Sequence, residues 1–345
     1  MTPKNLHIAL TRPDSGTVTL RDTVGENTLH TDSTSGRPAG ILAAAAVRVP
    51  GSCGELVQGI VDGGYFLVSC PVDFFATVSV EIFAGEIFAG GPGVDAPDDC
   101  PKTAAAVKAT LTHLGREDVR VHVSVNNPIP RSKGLGSSSA DVAAAIAATG
   151  IALGKELSPE DVARLALSVE PTDGVMFPGL AVFDHREGRK MELLGAPPPM
   201  ELVALDFGGT VDTLEFNRED RRQAWESVAL ATKEALDLVR SGILHCDPAL
   251  VGRGASISAE CSQQVLPKPE LPQVMGFAAD VGAAGVNVAH SGTVIAVLLD
   301  ARHRRGLSVY KQAQKAFPHA ESVRHFRLLA GGVRRVEEKS QGAAG

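Results

Sequence analysis

One stretch restricts the fold of this chain more than any other. Val119, Val121, Val123 and Val125 alternate with Arg120, His122 and Ser124, and Asn126-Asn127-Pro128-Ile129-Pro130 follows. Then comes Gly134-Leu135-Gly136-Ser137-Ser138-Ser139, and after it an alanine-rich run to Leu153. Alternation with period two marks a strand, the prolines exclude helix, and the alanine-rich run from about residue 138 to 153 predicts a helix. Strand, glycine turn and helix in that order make an anion site. Glycines let the backbone approach phosphate oxygens closely. The unpaired N–H groups of the helix's first turn and its dipole both favour negative charge. Ser137, Ser138 and Ser139 add hydroxyls that can bond phosphate oxygens or ligate Mg²⁺, and Lys133 and Arg131 are candidate cations beside the phosphates. The P-loop pattern is absent, since no Gly-Lys-Ser/Thr occurs. The dinucleotide pattern fits only through Gly134-Leu135-Gly136, because Ser139 stands at its last position. The bland alternative is a Gly-Ser turn capping a structural helix; three consecutive serines after the glycines weigh against it.

With 345 residues the chain has room for about two domains. Residues 1–45 are rich in Thr, Ser, Asp, Gly and Arg and read as a flexible extension that cannot bury enough apolar surface to order itself. The folded part is expected over 46–195 and 196–336, with a junction at Ala196-Pro197-Pro198-Pro199 and a frayed tail over 337–345. In the first part, strands are predicted around 47–49, 65–70, 76–82, 119–125 and 180–184, a loop over 90–101, and helices over 104–114 and 138–153. Ser158-Pro159-Glu160-Asp161 is a helix start with Ser158 as N-cap. Pro171 ends that helix, which leaves Glu170 at its C-terminal edge, where the dipole disfavours an acid. In the second part, strands are predicted at 202–207, 293–299 and 324–329, and helices at 225–243, 249–264 and 271–282.

Net charge is −7 and aromatic residues are 4%, so neither a basic nucleic-acid footprint nor a base-stacking platform is present. The five cysteines are scattered and form no C-x-x-C, which argues against a disulfide framework or a structural zinc site. The N-terminus reads as no secretory signal, and the apolar run at 41–47 is far shorter than the ~20 residues a membrane span needs. A soluble cytoplasmic protein is expected, with a small-molecule substrate, no nucleic acid and no membrane partner; a homodimer is left open.

The segment Pro130-Arg131-Ser132-Lys133-Gly134-Leu135-Gly136-Ser137-Ser138-Ser139-Ala140 resembles the second motif of the GHMP kinases. Pro50-Gly51-Ser52-Cys53-Gly54-Glu55-Leu56 stands where their first motif falls, and Ala289-His290-Ser291-Gly292-Thr293 is similar to their third. Three further runs, from Pro50 to Gly59, from Val68 to Asp73 and from Glu170 to Asp173, resemble the L-threonine kinases of the cobalamin pathway. The resemblance implies an α+β fold: a first domain like ribosomal protein S5 domain 2, a ferredoxin-like second domain and an active site between them. It implies ATP and Mg²⁺ as cofactors, L-threonine as acceptor and L-threonine O-3-phosphate as product. Pro130 and Lys133 to Ser139 would hold nucleotide, and Ser138 and Glu170 the metal. Asp173 and Lys133 are the candidate catalytic residues; for Asp173, a turn-forming role before Gly174 stays open. Ser52, Glu55, Asp73, His290 and Ser291 are candidates for substrate contact, Glu55 foremost, because an amino acid brings an ammonium group. Two departures stand out. Ser52 occupies the place of a lysine in mevalonate kinases, and fewer residues than usual separate Glu170 from Asp173. Another small alcohol such as homoserine, or a catalytically weak nucleotide-binding homologue, is the alternative reading.

Overall fold

The computed structural model describes residues 40–84, 93–210 and 221–337; the predicted extension up to residue 39 and the tail from 338 lie outside the described residues. Its spine is a pair of 21-residue strands, β1 (Ile41–Val61) and β2 (Gly64–Ala84), antiparallel in register from Ile41↔Phe83 to Val61↔Gly64. Asp62 and Gly63 close the hairpin at φ 52° and 77°, the left-handed pair that a two-residue turn between twisted strands requires. β1 begins at Ile41, ahead of the expected boundary at 46, and β2 merges two strands predicted separately. The register of β1 shifts between Pro50 and Ser52, Ser52 and Glu55, and Glu55 and Val57. The strand therefore bulges and bends where it carries Gly51-Ser52-Cys53-Gly54.

Beyond β2 lie β4 (Val119–Asn126), antiparallel to it, and β3 (Gly93–Asp95), parallel to β4. The pair β5 (Leu180–Phe183) and β6 (Met191–Gly195) joins β2 through Leu67↔Phe183. On the other side come β7 (Met200–Asp206), β8 (Gly285–Val288), β9 (Val294–Asp300) and β10 (Ser322–Arg327). The whole sheet runs β10-β7-β9-β8-β1-β2-β4-β3, with β11 (Arg334–Arg335) paired to β1. The four strands β7 to β10 are antiparallel neighbours in the order fourth, first, third, second. Helices fill the intervals between β7 and β8 and between β9 and β10, which is the β-α-β-β-α-β ferredoxin-like arrangement. One register pair, Glu55↔Val288, joins β8 to β1.

The helices are α1 (Pro101–His113), α2 (Ser137–Ala152), α3 (Pro159–Leu167), α4 (Arg222–Ser227), α5 (Ala229–Leu244), α6 (Pro248–Cys261), α7 (Leu271–Asp280) and α8 (Gly306–Ala316). The helix predicted over 225–243 is broken at Val228 into α4 and α5; β3, β6, β8, β11 and α8 are additions to the predicted set, β3 lying within the predicted loop 90–101, where it pairs with β4. Ser158 caps α3 as expected, accepting from Asp161 N at 3.1 Å. α2 is buried nearly all round against β1, β2 and α1. A helix apolar on every face belongs in a core, and alanines keep it thin enough to lie deep between neighbours. No helix among the described residues is long and apolar enough to cross a membrane.

Backbone contacts fix the turn before α2. Ser52 N donates to Leu135 O at 3.0 Å and Gly54 N to Gly134 O at 3.2 Å, so the bulge of β1 grips the loop from one side. From the other, Thr293 N and Val294 N donate to Lys133 O at 3.1 and 3.3 Å. Gly134 has φ 83°, and a Cβ there would overlap the Ala289 side chain. Gly134→Ala combines left-handed strain with a clash, so it should destabilise the fold by about 2–4 kcal/mol. Urea denaturation checks this; a midpoint equal to the parent's would show that the loop is not clamped.

Candidate active site

α2 starts at Gly136, whose φ of 66° turns the chain into the helix, and no side chain caps it. The residues of its first turn, Ser137 to Ser139, line a cavity of about 370 Å³, within the roughly 300–1,000 Å³ usual for small-molecule sites. Pro130, Arg131, Gly134 to Ser139, Asp141, Lys102, Glu55, Glu170, Asp173, His290 and Ser291 are among its lining residues.

The three serines have different jobs. Ser137 Oγ donates to Ile129 O at 3.0 Å and accepts from Asn127 Nδ2 at 3.0 Å, so it fastens the strand–helix connection. Ser139 Oγ accepts from Asp173 N at 3.0 Å and thereby holds the Glu170–Asp173 turn against α2. Ser138 Oγ donates to Glu170 Oε1, leaving a hydroxyl and a carboxylate side by side at the cavity wall. The sequence predicts Glu170 at the edge of a helix ended by Pro171; instead α3 stops at Leu167, capped by Ser168, and Glu170 follows in the turn beyond it, its N–H donating to Ala166 O at 3.0 Å. Its Oε2 meets Lys102 Nζ at 2.5 Å.

Five carboxylates line this one cavity: Glu55, Asp141, Glu170 and Asp173, with Asp99 paired to Arg131. Burial, with a smaller push from Glu170, raises the Asp173 pKa to about 6, against a lowering hydrogen bond from Ser139. Burial also raises Asp141 to about 6, hydrogen bonding to Asn127 opposing it. Glu55 is driven well above the ordinary carboxylate range by burial and by Asp173 nearby. Its Oε2 is buried without a hydrogen-bond partner among the described residues. Burial favours the neutral, protonated form of such a group, and a cation brought beside it would favour loss of the proton and pairing with the carboxylate.

Other predicted residues lie elsewhere. Lys133 is outside the cavity lining: its ammonium sits between Asp206 Oδ2 at 3.0 Å and Glu321 Oε2 at 2.9 Å. Asp73 accepts from Arg327 N at 2.7 Å, and Ser52 Oγ bridges Gly54 O at 2.9 Å and Cys70 N at 3.2 Å; neither lines the cavity. Arg131 lines the rim but donates to Asp99 Oδ2 at 3.0 Å. His290 is at the cavity wall, bonded through Nδ1 to Gln58 Oε1 at 2.6 Å and flanked by His185 and Trp225. Burial and neighbouring cations push its pKa well down, so the ring is neutral. Lys102 and Asp141 carry no spacing signal. Lys102 reaches Glu170 across 68 positions, and Asp141 reads from sequence as a polar residue of an alanine-rich helix.

A glycine-serine loop feeding an uncapped helix N-terminus, with carboxylates opposite and a ferredoxin-like sheet behind, defines a phosphate-handling protein of the kinase class that the three motifs resemble. Residues 102–178 match the family described as the GHMP kinases N terminal domain. The L-threonine kinase of Salmonella typhimurium is 34% identical over 295 residues, which cover 84% of this chain and 95% of that one. The L-threonine kinase of Citrobacter freundii is 33% identical over 297 residues, covering 84% and 99%. The chain belongs to the GHMP kinase family. Its fold is shared by a homoserine kinase from Cytophaga hutchinsonii, with TM-score 0.64 and 18% identity over 90% of this chain and all of that one. It is shared too by the L. major mevalonate kinase, with TM-score 0.60 and 16% identity over 84% and 96%.

The crowded acids tie stability to pH. Asp141 titrates near 3.8 unfolded and about 6 folded. Between those values the native state binds the extra proton, so its contribution to stability falls as pH rises through that window and is fully lost above it. Asp141→Asn should therefore raise stability at pH 7.5 by about 1–2 kcal/mol, after discounting the roughly 3 kcal/mol that two pKa units represent. At pH 4 the gain should nearly vanish. Thermal melts at the two pH values check the sign; an equal shift at both contradicts it.

Proposed function

We propose that this chain uses Mg-ATP to phosphorylate the side-chain hydroxyl of L-threonine, giving L-threonine O-3-phosphate for cobalamin synthesis in the cytoplasm. One observation carries the reading: Ser138, Glu170, Asp173 and Glu55 converge on a single cavity at the N-terminus of α2. The similarity to L-threonine kinases along nearly their full length supports the choice of acceptor. Residues 46–195 supply the nucleotide loop and the acids, and residues 196–336 supply His290 and Ser291.

The donor set fits the cofactors. First-turn amides of α2 suit phosphate oxygens. Ser138 and Glu170 are two hard oxygen donors, as Mg²⁺ prefers when phosphate and water complete its shell. When bound, the metal neutralises charge on the transferring phosphoryl group. Glu55 meets the ammonium group of the amino acid, which answers its buried, unpartnered oxygen. Asp173 orients the acceptor hydroxyl and takes its proton; with a pKa of about 6 it is ionised at neutral pH. Lys133 holds the loop in place through Asp206 and Glu321, and charge beside the phosphates falls to Mg²⁺ and to groups on the rim.

Homoserine is the second reading. The homoserine kinase of Bacillus velezensis is 29% identical over 220 residues, covering 62% of this chain and 70% of that one. Both acceptors carry the same ammonium and carboxylate and differ in the reach of the hydroxyl. Incubation with Mg-ATP and, separately, threonine, serine, homoserine and mevalonate should yield phosphothreonine at the highest kcat/KM, read by ³¹P NMR. A higher value for homoserine moves the assignment to that acceptor, and no phosphorylated product from any of them ends it. Ser138→Ala should lower kcat by about 10²–10³-fold, the scale of one electrostatic donor to the transition state. The kcat/KM profile should rise with pH through an inflection near 6 as Asp173 loses its proton. Asp173→Asn should remove that limb and lower kcat by about 10²-fold or more; a limb that persists in Asp173→Asn excludes Asp173 as the base.

A further inference from the structure

Lys102 sits on the first turn of α1 and was not marked by any motif. Its ammonium reaches Glu170 Oε2 at 2.5 Å, while Ser138 Oγ takes Oε1. The Glu170 carboxylate is 2% exposed and the lysine side chain 39%. The lysine thus reaches in from the rim and fixes a carboxylate that cannot reorient into water. Lys102 and Arg131 are the lysine and arginine that line the acidic cavity, and Arg131 is held by Asp99 through its main-chain oxygen and its carboxylate, each at 3.0 Å. A carboxylate buried this deeply needs a partner to stay in one place. With each Glu170 oxygen assigned to a different neighbour, the carboxylate has one orientation.

We propose that Lys102 is a positioning residue for the metal site: by anchoring Glu170 Oε2 it presents Oε1 and the Ser138 hydroxyl as a preformed pair of donors for Mg²⁺. The proposal rests on the Mg-ATP reading above. Preorganisation of this kind raises affinity by removing the cost of ordering the ligand on binding. It concerns the metal-dependent part of nucleotide binding and leaves the contact between phosphate and the α2 amides untouched.

Calorimetric titration of ADP, with Mg²⁺ and separately with EDTA, separates the two. The parent protein should bind ADP more tightly with Mg²⁺. Lys102→Met should lose at least tenfold of that gain, with ADP affinity in EDTA within twofold of the parent, and Lys102→Arg should recover most of it. Lys102→Gln takes the place of Lys102→Met if the latter does not melt cooperatively. An intact Mg²⁺ gain in the variant overturns the proposal and leaves the kinase reading standing. So does an equal loss of affinity in EDTA, which would make Lys102 a direct phosphate ligand. A parent protein that binds ADP identically with and without Mg²⁺ removes the metal site, and this proposal with it.

Discussion

The hydrogen bonds from Ser52 N to Leu135 O and from Gly54 N to Gly134 O are the contacts on which the rest of the site depends. They tie a bulged strand to a glycine turn far along the chain, and they require both backbones to approach with no side chain between them. Gly134 can lie there because it adopts φ 83° and leaves room for Ala289. Once the turn is pinned, α2 must begin directly after Gly136, with its first turn at the wall of one cavity. The helix can run into the core behind it because seven of its sixteen residues are alanine and most of the rest are small or apolar. β1 is therefore more than scaffold: its bulge grips the loop through Ser52 and Gly54 and delivers Glu55 to the cavity, while the same segment bridges to β8 at Glu55↔Val288.

The second constraint is electrostatic. Glu55, Asp141, Glu170 and Asp173 crowd one small space, and burial is the first cause of the raised pKa values of Glu55, Asp141 and Asp173; Asp173 adds to the rise at Glu55, and Glu170 to those at Asp173 and Asp141. Such crowding destabilises the folded chain, and proteins concentrate it at functional sites. Positive charge relieves it. Lys102 supplies one cation from the protein, and in the proposed reaction a divalent metal and a substrate ammonium supply two more. Acidic walls and an anion-binding helix terminus are not in conflict if, as proposed, a divalent metal held by Ser138 and Glu170 offsets the charge of both.

Much of this was legible in the residues. The strand, glycine turn and alanine-rich helix follow from valine alternation, the proline run and the serine cluster, and Glu170 near a helix end stood out as an acid in the wrong place for the dipole. What stayed hidden was direction and distance. Lys133 lies within the motif, yet its side chain turns to Asp206 and Glu321, residues whose approach to the loop depends on the ferredoxin-like sheet. Asp73 and Ser52 look like site residues from the motifs they stand in but satisfy main-chain groups of Arg327, Gly54 and Cys70. Lys102 and Asp141 show the converse, since a lysine at a helix start and an aspartate inside an alanine run look like solvated surface. β8, with four residues, is too short to show a period, and α8 has the composition of an exposed helix.

The central claim is that the amides opening α2 hold the nucleotide's phosphates. Hydrogen–deuterium exchange of the segment from Gly134 to Ser139, with and without a non-hydrolysable ATP analogue and Mg²⁺, tests it directly. The account predicts that exchange there slows by about tenfold or more on binding, since amides that donate to phosphate are shielded from solvent. Saturation with the analogue that leaves these amides exchanging at their free rate, with protection appearing elsewhere in the chain, would contradict it.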